Sequence, residues 1–199
     1  LRFAKGVVDS SDLPLNVSRE ILQHNRQMEI MKTSITKKIL DTFDEMKTGD
    51  YDSYLKIYGE FGRILKEGVH FDFSRRETIA DLLLFPSTKI DAGKFRTLKE
   101  YVENMKEGQE EIYYIVGTSL NEALHSPYLE AFTKKDYEVL VFLDDIDDFI
   151  FSGFEYKGKK MKSITKGDLA LDKEEKEEKE KAQKKYEKFI DLVKDILKD

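Results

Sequence analysis

Apolar residues recur at spacings of three, four or seven through Ile21, Met28, Met31, Ile35, Ile39, Phe43 and Met46, one stripe of a long helix. KTGD (Lys47 to Asp50) ends it. A second helix carries Tyr51, Tyr54, Tyr58, Phe61 and Leu65 and stops through Gly68 in EGVHF. The capping-box spacing of Ser74 and Glu77 predicts a third, running through IADLLLF to Pro86. Ahead of these helices the chain opens as a strand, LRFAKGVV, and passes through a loop at Pro14.

From about Gly93 the pattern changes. Two further capping boxes, TLKE (Thr97 to Glu100) and SLNE (Ser119 to Glu122), open helices, and Pro127 suits a first helical position. EIYYIVG, EVLVFLD and KKMKSIT read as short buried strands, and IDDFIFSGF reads as helical. Strands alternating with helices predict an α/β fold, α+β by content. Its expected parts are an opening strand and loop over residues 1–17, a three-helix coil over 18–88, a small parallel or mixed αβ layer over 89–168, and a linker and charged C-terminal helix over 169–199. That last segment, DKEEKEEKEKAQKKYEKF, reads as a solvated helix stitched by i,i+4 acid–base pairs. Its terminal stripe of Tyr186, Phe189, Val193 and Leu197 suits docking.

Composition narrows the function. With 34 basic and 40 acidic residues the net charge is −6, which argues against a nucleic-acid binder. No cysteine occurs, so no disulfide and no thiolate metal site is expected. His24, His70 and His125 lack metal-ligand spacing, so no metal is expected either. No apolar run approaches the roughly 18 residues of a membrane span. No signal peptide is expected, and a cytoplasmic protein is. Both ends look cut, which predicts a fragment of a longer chain.

Self-contained chemistry is scarce. YKGKKMKS has one glycine where a phosphate loop needs two, GTSLNEAL lacks a nucleophile elbow, and LDDIDD lacks EF-hand spacing. The opening DLPLNVSREILQ is the exception. Asn16 or Ser18 caps a helix there, and Arg19 sits in its first turn, against the positive end of the dipole. Free amides at such an end bind anions, and an arginine adds a bidentate donor suited to phosphate. Gln23 stands one turn on, placed to orient a water or hold the loop. From the residues alone, an exposed Arg19 offset by Glu20 is an equal reading.

The same stretch, LRFAKGVVDSSDLPLNVSREILQHN, resembles the catalytic-loop region of the ninety-kilodalton heat-shock chaperones, the bacterial HtpG branch in particular. FGRILKEGVHFD, RRETIADLL, YVENMKEGQEEIYYIVG, SPYLEAFTKKDYEVL and GKKMKSIT follow in the family's order, so the likeness runs from Leu1 to about Leu171. It implies the later half of a middle domain, with residues 1–17 the end of its large αβα layer, 18–88 the helical coil and 89–168 the small αβα layer, and 169–199 the linker and first helix of a C-terminal domain. It also implies that Arg19, supported by Asn16 and Gln23, reaches the γ-phosphate of ATP, held with Mg by an N-terminal domain. The chain by itself would then be no ATPase. Implied partners are that N-terminal domain, unfolded or partly folded clients, and a second copy through the C-terminal domain, with no nucleic acid and no membrane. The rival class is a passive adaptor with no part in ATP hydrolysis.

Bacterial members often carry Trp where this chain has Phe149. Phe149, Ile150, Phe151 and Phe154 are more apolar side chains than one helix face can bury. Either they pack inward, or part of the set, Phe149 and Phe154 with Asp148 and Ser152, is a client-binding patch.

Overall fold

The computed structural model describes residues 4–9 and 26–166. The chain divides into two compact units, Leu1–Thr165 and Lys166–Asp199, and the elements below belong to the first.

Helix α1 (Arg26–Gly49) gives way to α2 (Tyr51–Phe71) through Asp50, whose carboxylate accepts from the Ser53 amide at 3.2 Å. The stripe on α1 is buried only toward its C-terminal end. Phe43 is in the core, joined by Leu40 from outside the predicted stripe, whereas Met28 and Ile35 are exposed. Phe43 meets Tyr54 of α2 edge-on at 6.5 Å, and the Tyr58 hydroxyl donates to the Leu84 carbonyl at 3.0 Å. Gly68 does not stop α2. It lies inside the helix, where a Cβ would stand 3.3 Å from Ile79 Cδ1, so it is a point of close approach.

The third helix is shorter than its pattern predicts: α3 spans only Arg76–Ala80. No capping box forms, because the Ser74 hydroxyl donates instead to Asp72 at 2.7 Å. The run after it is apolar on every side. Leu82, Leu83, Leu84 and Phe85 are all almost fully buried, and a helix of five residues' length cannot bury all its faces. The segment extends instead. Phe85 exchanges backbone hydrogen bonds with Arg96 at 2.9 and 2.7 Å, and Val141 donates to the Pro86 carbonyl at 2.8 Å.

Helix α4 (Leu98–Glu103) has the full capping box read from TLKE. Its Tyr101 hydroxyl donates to the Glu138 carbonyl at 2.6 Å and accepts from Gln109 Nε2 and the Tyr113 amide, each at 3.0 Å. Burial pushes that phenol well above its ordinary pKa.

Strand β1 (Glu111–Val116) is followed by α5 (Leu120–Leu124), a 3₁₀ turn at Pro127–Leu129 and α6 (Glu130–Lys134), then β2 (Leu140–Phe142). After α7 (Asp147–Phe151) come β3 (Glu155–Tyr156) and β4 (Lys159–Ser163). The sheet order is β2-β1-β4-β3, with β1 parallel to both neighbours and β3 antiparallel to β4. Lys157 and Gly158 both have positive φ, 48° and 75°, so YKGK is a two-residue hairpin turn, absent from the sequence reading. Ile112 and Tyr114 face the main core, while Tyr113 packs on Phe132 at 4.8 Å on the other face. Burial on both faces explains why EIYYIV shows no alternation. One core, from Leu40 through Leu82 to Met161, runs across the expected boundary at 88/89.

Candidate functional site

Asn16, Arg19 and Gln23 lie outside the described residues. The other residues singled out in the sequence are on α7 and just beyond it.

Five residues are too few for a helix to hold itself together. Helix α7 begins at Ile146 without a side-chain cap, and its first turn carries Asp147 and Asp148, which suit the dipole. It is fixed from beneath. Ile150 and Phe151 are buried, with Phe151 against Phe85 at 5.5 Å and Phe142 at 4.9 Å. Phe154 is also in the core, 6% exposed, packed on Phe151 and lying under the Arg76 guanidinium. It is therefore removed from the expected surface set, since its ring has no face left for a partner. Phe149 is the one that emerges, at 69% exposure. Asp148, half-buried, takes a hydrogen bond from the Tyr114 hydroxyl at 3.4 Å, and Ser152 is exposed at the helix end. The structure thus brings Asp148, Phe149 and Ser152 together and leaves Phe154 out.

Helix α2 supplies residues that the sequence reading missed. Arg63, Lys66 and His70, at i, i+3 and i+7, form one stripe that faces the segment 144–149. Arg63 pairs with Asp145 at 2.9 Å; Lys66 pairs with Asp144 at 2.6 Å and Asp147 at 2.8 Å. The His70 ring lies 4.9 Å from that of Phe149 and 4.9 Å from that of Phe71. Three basic residues at helical spacing, matched to four aspartates in LDDIDD, were the available signal. Asp147 is fully buried, and its second carboxylate oxygen has no hydrogen-bond partner. Burial raises its pKa, against the pull of the Lys66 ammonium.

Elsewhere, a cavity of about 600 Å³ is lined by Asp41, Asp44, Lys47 and Asp81 among others. Of its three lysines, Lys47 is engaged with Asp44 at 2.8 Å and the Asp81 carbonyl at 2.7 Å, and Lys157 lies over the Tyr156 ring. Among the described residues, no group of histidines and carboxylates is placed to hold a metal ion, and no helix is long and apolar enough to cross a membrane.

The Hsp90 protein family profile matches residues 1–199. This chain belongs to the Hsp90 family. The chaperone protein HtpG of Geobacter metallireducens is 56% identical over 176 residues, covering 88% of this chain and 27% of its own length. That of Legionella pneumophila strain Paris is 46% identical over 202 residues, covering 100% of this chain and 32% of its own. The chain thus spans 27 to 32% of the length of these curated relatives. Among solved structures, the middle domain of a Plasmodium falciparum heat shock protein is similar, with a TM-score of 0.67 and 35% identity over 72% of this chain and 61% of that one. The helices and the four-stranded sheet are thus those of an Hsp90 middle domain, and the HtpG likeness read from the sequence is the one found.

Proposed function

We propose that this chain is the middle-domain part of an ATP-dependent chaperone, with two working surfaces. One is Phe149 with Asp148 and Ser152 on α7, which receives non-native polypeptide. The other is the NVSRE loop, which carries Arg19, supported by Asn16 and Gln23, to the γ-phosphate of ATP bound with Mg in an N-terminal domain. On this reading the chain alone does not hydrolyse ATP, and the whole protein is a cytoplasmic dimer joined through its C-terminal domain.

The carrying observation is the exposure of Phe149, 69% open, beside Ile150 and Phe151, which the same short helix buries. Burying a phenylalanine fully is worth about 2 kcal/mol, a gain that Phe149 forgoes beside a well-filled core and that a docking partner can recover. The test is Phe149→Ser, with a permanently unfolded probe, reduced carboxymethylated α-lactalbumin, titrated by fluorescence anisotropy. The variant binds about tenfold more weakly at an unchanged melting midpoint. Unchanged affinity sinks the client surface.

A further inference from the structure

The exposed aromatic surface does not end at α7. Phe149 at 69% and Phe71 at 77% exposure both lie against the His70 ring, each at 4.9 Å between centroids, one tilted by 51° and the other edge-on at 84°. Three rings from two elements therefore form one continuous ridge. Next to it opens a recess of about 330 Å³ where apolar Ile64, Leu65, Phe71 and Ile79 share the lining with charged Glu29, Lys32, Asp72 and Arg75. That is room for an aliphatic side chain against the apolar part of the lining, with charged groups at hand for its neighbours.

The ridge has an acidic margin. Residues 63–76 and 143–149 hold six carboxylates and four cations; with the buried Asp147 and Lys66 set aside, five carboxylates stand against three cations at the surface, and Glu29 and Lys32 on the α1 wall of the recess offset each other. Every one of those cations is engaged: Arg63 on Asp145, Lys66 on Asp144 and Asp147, Arg75 on Asp72, and Arg76 over the Phe154 ring. Phe73 is exposed to a similar degree, 73%, but makes no ring contact with the ridge among the described residues.

Resting on the client-binding reading of Phe149, we infer that the docking surface is composite. Phe149 of α7 and His70 and Phe71 of α2 together take an extended segment whose apolar side chains are flanked by lysine or arginine. Aromatic faces and the recess hold the apolar side chains, and the acidic margin selects the basic flanks and disfavours acidic ones.

The experiment measures anisotropy of two fluorescein-labelled peptides on the full chain. They share a Leu-Phe core, flanked by lysines in one and by glutamates in the other. Wild type binds the lysine-flanked peptide about tenfold more tightly. Phe71→Ser and Phe149→Ser each weaken it about fivefold or more, while Phe73→Ser leaves it unchanged. All three side chains are largely exposed, so equal melting midpoints verify that each variant is folded. If Phe149→Ser weakens binding and Phe71→Ser does not, the surface stops at α7: the inference falls and the client reading stands. If neither matters, both fall. Equal binding of the glutamate-flanked peptide overturns the charge selection. A wild-type dimer in sedimentation that Phe71→Ser dissolves overturns the proposal in favour of a second copy of the chain on the ridge.

Discussion

Lys66 and Asp147 meet at 2.8 Å where their side chains are 7% and 0% exposed, and the same ammonium holds Asp144 at 2.6 Å. This ion cluster ties α2 to the helix that carries Phe149. Removing the lysine leaves two neighbouring carboxylates with nothing to neutralise them. Lys66→Met therefore costs about 3 to 5 kcal/mol in urea unfolding. The double variant Lys66→Met, Asp147→Asn recovers part of that loss, because one uncompensated charge goes with the lysine. Equal stability of the single variant and wild type would show that the cluster contributes nothing.

Gly117 and Gly68 make a contrasting pair. A Cβ on Gly117 would stand 2.9 Å from Ala123 Cβ and 3.2 Å from the Ser119 carbonyl oxygen, and neither neighbour is the end of a flexible chain. Gly117→Ala is expected to lose about 1 to 3 kcal/mol. At Gly68 the nearest atom is Ile79 Cδ1 at 3.3 Å, a terminal methyl that can turn aside. The helix gains about 1 kcal/mol from alanine there, so Gly68→Ala is near neutral. Paired denaturant curves check the ordering of the two.

Asp136 accepts from both Lys89 and Lys106, and those hydrogen bonds, with Lys106 the stronger influence, hold its pKa down to about 2 from 3.8. A depressed folded-state pKa adds stability above the unfolded value and loses it as pH falls through the folded one. Asn tolerates the left-handed backbone at this position, φ 54°, so Asp136→Asn removes the charge alone. The variant melts slightly lower than wild type at pH 7, and the gap closes between about pH 4 and pH 2. A gap that persists at pH 2 rules out the charge as its origin.

Arg19 is tested in the full-length protein. Arg19→Ala is expected to lower ATP turnover strongly, by up to several powers of ten on the scale of arginine fingers, while nucleotide affinity of the open state stays the same. Arg19→Lys rescues little, because a point charge lacks the planar fork. Wild-type turnover in the alanine variant would remove Arg19 from the mechanism and leave the adaptor reading standing.

Local signals in the sequence carried well where a helix or strand was decided by its own residues. Thr97 and Glu100 form the capping box their spacing predicts, and Glu111 to Val116 is a strand because β-formers fill it. They failed where tertiary context decided. Leu82 to Phe85 reads as helix until the demand to bury all sides wins, and Gly68 reads as a stop until Ile79 is seen above it. At the site, Phe149 was legible as one of too many apolar residues, but not which one surfaced. Its neighbours His70 and Phe71 were invisible in that respect, since they come from a helix some 80 residues away in sequence.

The strand order β2-β1-β4-β3 also governs how this chain can be made. Strand β1 leaves the ribosome first, yet both of its partners lie downstream, β2 from Leu140 and β4 from Lys159 to Ser163. Until Ser163 has emerged, one long edge of EIYYIV has no strand to pair with, and such an edge recruits other chains. The aromatic strand β1, inside the finished sheet, is therefore an unpaired and adhesive edge while the chain is growing. A protein of the heat-shock chaperone family passes, during its own synthesis, through the kind of state that a chaperone exists to shield.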